Sequence, residues 1–134
     1  MSHARLFMPL TLLLFASCGP SPHDMGDAAV MVGPATHAVC SSTPTTWSGF
    51  GQSFFTTYCT RCHSASVTGA ARVGAPVGLD YDSVTDVRAH AAEIDQVAAS
   101  GPSATNTFMP FTAPRPTVAE RVQLGQLLAC GVPD

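Results

Sequence analysis

Within this chain of 134 residues, Cys59-Thr60-Arg61-Cys62-His63 constrains the fold more than any other stretch. Cys-x-x-Cys serves three chemistries: a dithiol redox pair, half of a zinc site and, with a histidine directly after it, the attachment of a c-type haem. Context separates them. A thioredoxin-like redox pair needs a neighbouring βαβ pattern, and none is visible. Zinc needs a second close ligand pair, and Cys40 and Cys130 stand alone. A haem suits the spacing. On one helical turn, two thiols three positions apart can each bond a vinyl group of the same porphyrin. His63 can then reach the iron as proximal ligand through one ring nitrogen, while the other donates to a carbonyl that fixes the tautomer. One covalent haem c held by Cys59, Cys62 and His63 is the expected cofactor.

The 46% hydrophobic content comes partly from the N-terminus, so one small domain is expected from the rest. Residues 1–17 read as a secretory signal, with Arg5 as the positive n-region and Leu6 to Phe15 as an apolar stretch too short to span a bilayer. Phe15-Ala16-Ser17-Cys18-Gly19 resembles the lipobox of bacterial lipoproteins, with Phe15 in place of the usual aliphatic residue. That resemblance implies cleavage before Cys18 and lipidation of its thiol, anchoring the chain at the periplasmic face of a bacterial membrane. Ordinary cleavage near Ser17 would instead leave Cys18 as a free thiol on a soluble periplasmic protein. Export agrees with the haem motif, because bacteria attach c-type haem outside the cytoplasm.

Residues 18–43 are rich in Pro, Gly, Ser, Thr and Ala and carry no helical or strand period, which predicts a flexible tether ahead of a domain at 44–134. His23 and His37 lie in it and read as solvated histidines rather than a metal pair. With Cys18 lipidated and Cys59 and Cys62 on the haem, Cys40 and Cys130 remain. They make one possible disulfide; the alternative is two free thiols in an oxidising compartment.

The first domain helix should run from near Trp47 into the haem motif. Trp47, Phe50, Gly51, Phe54, Phe55 and Tyr58 form an amphipathic stripe, and Thr46 can cap its start. Gly51, Phe55, Cys59, Cys62 and His63 resemble the class I cytochrome c pattern, in which a glycine and an aromatic precede the first haem cysteine at four-residue steps. The resemblance covers residues from about 47 to 131. It implies an all-α cytochrome c fold, three main helices and long loops around one covalent haem, with the C-terminal helix crossing the first helix at Gly51.

Ser64 to Asp80 is an irregular stretch whose length suits a loop wrapping a porphyrin. Gly74-Ala75-Pro76 resembles the family segment in which a proline carbonyl accepts the proximal histidine's N–H, a role that falls to Pro76; a plain turn proline is the alternative. Arg72 could meet a haem propionate or stand exposed on the surface. A second helix is predicted from about Asp82 to Ser100, capped by Asp82, with Val84, Val87, Ala91, Ile94, Val97 and Ala98 on one face. His90 lies off that face and is the reserve candidate for the sixth iron ligand. The principal candidate is Met109 in Thr107-Phe108-Met109-Pro110-Phe111, the only methionine after the haem motif. Its thioether is a soft ligand that raises the reduction potential, and a Met-Pro loop about here supplies the distal ligand in the class I family.

The last helix should start at Thr117 with Glu120 completing a capping box, bury Val118, Val122, Leu124, Leu127, Leu128 and Ala129, and end at Gly131. Leu127 replaces a usual aromatic of the family. A haem with both axial sites filled has no place for substrate, which predicts a one-electron carrier rather than an enzyme. The alternatives are a gas-binding, sensory or peroxidase-like domain with a labile sixth site, or an electron-relay subunit of a larger membrane oxidoreductase. Removal of the signal leaves five arginines and no lysine against nine acidic residues. The expected partners are redox proteins of the cell envelope, met through an apolar haem-edge patch or basic surfaces, and not nucleic acid.

Overall fold

The computed structural model of the protein describes residues 32–134. The signal segment 1–17, Cys18, His23 and the greater part of the tether lie outside the described residues. The first helix opens on a wide turn, Trp47–Gly51, in which the Gly51 N–H reaches back to the Thr46 carbonyl at 3.1 Å, and continues as α1, Gln52–Tyr58. Thr46 caps it as the sequence predicts, its Oγ1 accepting from the Gly49 N–H at 3.0 Å. After a long loop holding one 3₁₀ turn, Gly69–Arg72, come α2, Val84–Ala89, α3, Ala91–Ala98, and α4, Val118–Ala129. Among the described residues there is no strand, only an isolated bridge between Ser100 and Thr105, and the class is all-α.

The core forms where α4 crosses the first helix. A Cβ at Gly51 would stand 2.7 Å from the Trp47 ring and 2.9 Å from a Leu127 methyl, so only glycine lets the two helices approach this closely. Phe54, Phe55, Leu124 and Leu127 are buried around the crossing, and Trp47, Phe55 and Tyr81 extend it by ring contacts at 5.6 and 5.9 Å.

The predicted second helix is two. The chain leaves helical geometry at His90 (φ −114°, ψ 19°), which ends α2 and precedes α3, and the cap is Ser83 rather than Asp82, in a reciprocal box with Asp86. The apolar spacing of Val87, Ile94 and Ala98 runs on across the joint, so periodicity alone could not reveal it. What holds the joint comes from outside: Arg88 donates to the Gly131 and Val132 carbonyls, and the His90 ring lies edge-on to Tyr81.

The buried face of α4 also differs from expectation. Val118 and Val122 are 62% and 37% exposed, while Arg121 and Gly125 are buried with Leu124 and Leu128. Those four follow the helical period, but an arginine and a glycine disguise it. A Cβ on Gly125 would meet the Ser100 carbonyl at 2.5 Å, so the chain after α3 lies directly against α4.

Residues 33–38 are strapped onto the domain and do not belong to a free tether. Thr36 is fully buried, its N–H and Oγ1 both donating to the Asp95 carboxylate, and Gly33 N–H donates to the Gln96 carbonyl at 2.8 Å. His37 is exposed but bonded to Ser103 Oγ at 2.8 Å. Cys40 and Cys130 are joined in a disulfide, which ties this strap to the end of α4.

Candidate cofactor site

The end of α1 delivers Cys59 as its C-terminal cap, and the turn that follows carries Cys62 and His63. Their backbones are tied to one turn, since the N–H groups of Cys62 and His63 both donate to the Cys59 carbonyl, at 3.1 and 2.9 Å. Cys59 and Cys62 are both free thiols and both half-buried. Burial pushes the Cys59 thiol up to about 12, only partly opposed by the Arg121 charge. A reactive dithiol needs a depressed thiol pKa, commonly at a helix N-terminus, whereas Cys59 sits at a helix C-terminus. The zinc alternative fares no better, because Cys40 and Cys130 are consumed by each other.

His63 faces a cavity of about 390 Å³, within the range of small-ligand sites. Its Nδ1 lies 2.9 Å from the Leu79 carbonyl, which can only accept, so Nδ1 carries the proton and Nε2 keeps its lone pair. Burial lowers the pKa of the ring, favouring the neutral, ligating form. Tyr81 stacks on the ring at 4.9 Å and fixes its plane.

Pro76 lines the cavity, but its carbonyl accepts from Arg72 Nη2, and the carbonyl that meets His63 is that of Leu79, three residues later. The loop fold explains the shift. Arg72 is neither exposed nor free: it is 5% exposed, donates to the carbonyls of Ser64, Ala75 and Pro76, and pairs with Asp80 at 2.8 Å. Among the described residues Asp80 Oδ1 has no other partner. The guanidinium thus draws the 64–80 loop around itself and turns the Leu79 carbonyl toward the histidine.

Met109 lies in the same cavity wall, with Phe108, Pro110 and Phe111. His90 does not line that cavity; its ring packs on Tyr81, so of the two candidate sixth ligands the fold brings only Met109 to His63. Among the described residues no carboxylate lines the cavity. Two residues that sequence reasoning passed over hold the methionine segment, Asn106 and Arg121. The available signal was a charged residue on the apolar period of α4. Leu79 carries no signal, because it acts through its backbone.

A haem fits these donors: the Cys62 thiol, a neutral imidazole with a free Nε2 and a thioether border one apolar cavity, and the second thiol, Cys59, stands on the same turn as Cys62. Comparison with protein-family models, curated proteins and solved structures finds no match to this chain.

Proposed function

We propose that this protein is a monohaem c-type cytochrome of class I type, a one-electron carrier of the bacterial periplasm or cell envelope. The observation that carries this reading is the meeting of His63 and Met109 in the walls of one apolar cavity beside Cys62, at the end of the turn that begins with Cys59. Cys59 and Cys62 would hold the porphyrin covalently, and His63 and Met109 would supply an imidazole and a thioether to the iron. A haem bound there supplies a one-electron iron couple. The chain's own part is orientation and exclusion of water. Leu79 and Tyr81 set the histidine ring, Arg72 keeps the wrapping loop closed, and the apolar walls keep the local dielectric low. With His63 and Met109 both ligating the iron, no position would remain for substrate, which favours electron transfer over catalysis.

Exposed Val73, Phe108 and Phe111 border the cavity and support an apolar contact patch for envelope redox partners. Exposed Arg61 and Arg115 flank the same segment, bonded to the Ala113 and Phe111 carbonyls. Lipidation at Cys18 would hold the carrier at the membrane.

The test is expression of the exported protein with c-type maturation machinery, followed by visible spectra, acid-solvent haem extraction and a carbon monoxide challenge. Covalent haem, a weak far-red Met–iron band and no carbon monoxide binding are expected. Met109→Ala should lose the band and admit carbon monoxide. Rapid carbon monoxide binding by the native ferrous protein would move the function to sensing or catalysis, and absence of covalent haem would overturn the reading.

A further inference from the structure

Arg121 is 2% exposed, and its Nη1 reaches three carbonyls: Ala98 at 2.6 Å, Asn106 at 2.9 Å and Met109 at 2.9 Å. They belong to the end of α3 and to both ends of the segment that leads to Met109. The Met109 N–H is itself taken by the Val97 carbonyl at 2.8 Å, so both polar groups of that residue's backbone are held, one by α3 and one by α4. Asn106 is held as firmly. Its N–H donates to Ala99, and its Nδ2 to the Asp95 and Pro34 carbonyls. Only Thr107 and Phe108 lie between the two anchors, which leaves the Met109 side chain to enter the cavity from a fixed backbone.

The choice of side chain carries more than a staple. A guanidinium buried against carbonyls alone costs heavily in desolvation. Among the described residues no carboxylate bonds it: the neighbouring Glu120 is engaged with Thr117 and Tyr58. The guanidinium stands one hydrogen bond, 2.9 Å, from the backbone of Met109, which lines the cavity. A cation buried there opposes a further positive charge on a nearby iron and so favours the reduced state, the same direction as thioether ligation.

We propose that Arg121 is the positioning residue for Met109, holding the thioether at the sixth iron position and raising the reduction potential through its buried charge. The proposal rests on the reading of Met109 as axial ligand.

Arg121→Met, similar in length but apolar, removes the donors and the charge together. In haem-loaded protein it should keep covalent attachment, weaken or lose the far-red band, lower the potential and bind carbon monoxide about tenfold faster or more, as expected for loss of charge-assisted bonds. Arg121→Lys returns the charge and three donors on a shorter stem, and should recover most of the potential and part of the band. A purely structural residue would leave potential and band at wild-type values in every variant that folds, and that result overturns the proposal. Should Arg121→Met not fold, Arg121→Gln, which keeps a donor and drops the charge, decides: a lower potential with faster carbon monoxide binding sustains the proposal, and wild-type values end it. The two readings fail differently. A wild-type protein without the band, or a Met109→Ala variant that retains it, sinks the axial role of Met109 and the proposal with it; a normal band indifferent to Arg121 sinks the proposal alone.

Discussion

A methyl group at position 51 has no room between the Trp47 ring and Leu127. Gly51→Ala should therefore push α4 off the first helix and cost about 1–3 kcal/mol, the usual range for overpacking a filled core. Thermal unfolding should show a lower midpoint, and Leu127→Ala in the same chain should return part of the loss, because the two changes act on one contact. Independent, additive effects would mean that the crossing is not where the strain falls. At this scale much was legible. A glycine and a phenylalanine at four-residue steps before Cys59 mark the crossing, and both are buried there. The role of Arg72 was not legible, since an arginine in sequence looks the same whether it meets water or a ring of carbonyls, and Arg121 was marked only by its place on the apolar period of α4.

The caps are the clearest case at the scale of an element. Thr117 Oγ1 accepts from the Glu120 N–H at 3.2 Å, and Glu120 Oε2 accepts from the Thr117 N–H at 2.7 Å, as Thr-x-x-Glu predicts. Tyr58 donates to the other carboxylate oxygen at 2.9 Å, joining α1 to the start of α4. These bonds, the Thr117 backbone first, hold Glu120 below its ordinary carboxylate value of 4.5. The stability they contribute is present above that value and is lost as the pH falls through the lower folded value. Thr117→Ala should cost about 1 kcal/mol at neutral pH and flatten the acid limb, because part of what protonation removes is already gone. Urea unfolding across the acid range reads both; an unchanged acid limb would place the pH dependence elsewhere. The break at His90 and the rotated face of α4 lay beyond such local signals. Both are imposed by partners from distant parts of the chain, the Gly131 and Val132 carbonyls at one and Ser100 at the other.

The whole molecule is closed by the Cys40–Cys130 bridge, with the two cysteines 90 positions apart. Chain-entropy reasoning gives such a loop about 4.6 kcal/mol. Replacing both cysteines by serine should lower the urea midpoint without unfolding the domain, because Thr36 and Asn106 fasten the strap independently. Adding Thr36→Val should then loosen residues 33–38, visible as faster amide exchange there. Exchange at the wild-type rate would show that the strap needs neither anchor.

What the sequence determined by itself is whatever a few neighbouring residues decide: two thiols on one turn with a histidine beside them, the caps at Thr46 and Thr117, the all-α class, and Met109 as the candidate soft donor. Only the tertiary structure decided that the Leu79 carbonyl rather than that of Pro76 orients His63, that Arg72 organises the loop, and that Arg121 grips the Met109 segment. The reason is physical. Each of these contacts ends on a backbone carbonyl, a group every residue carries, so nothing in side-chain spelling marks which one a folded chain will present.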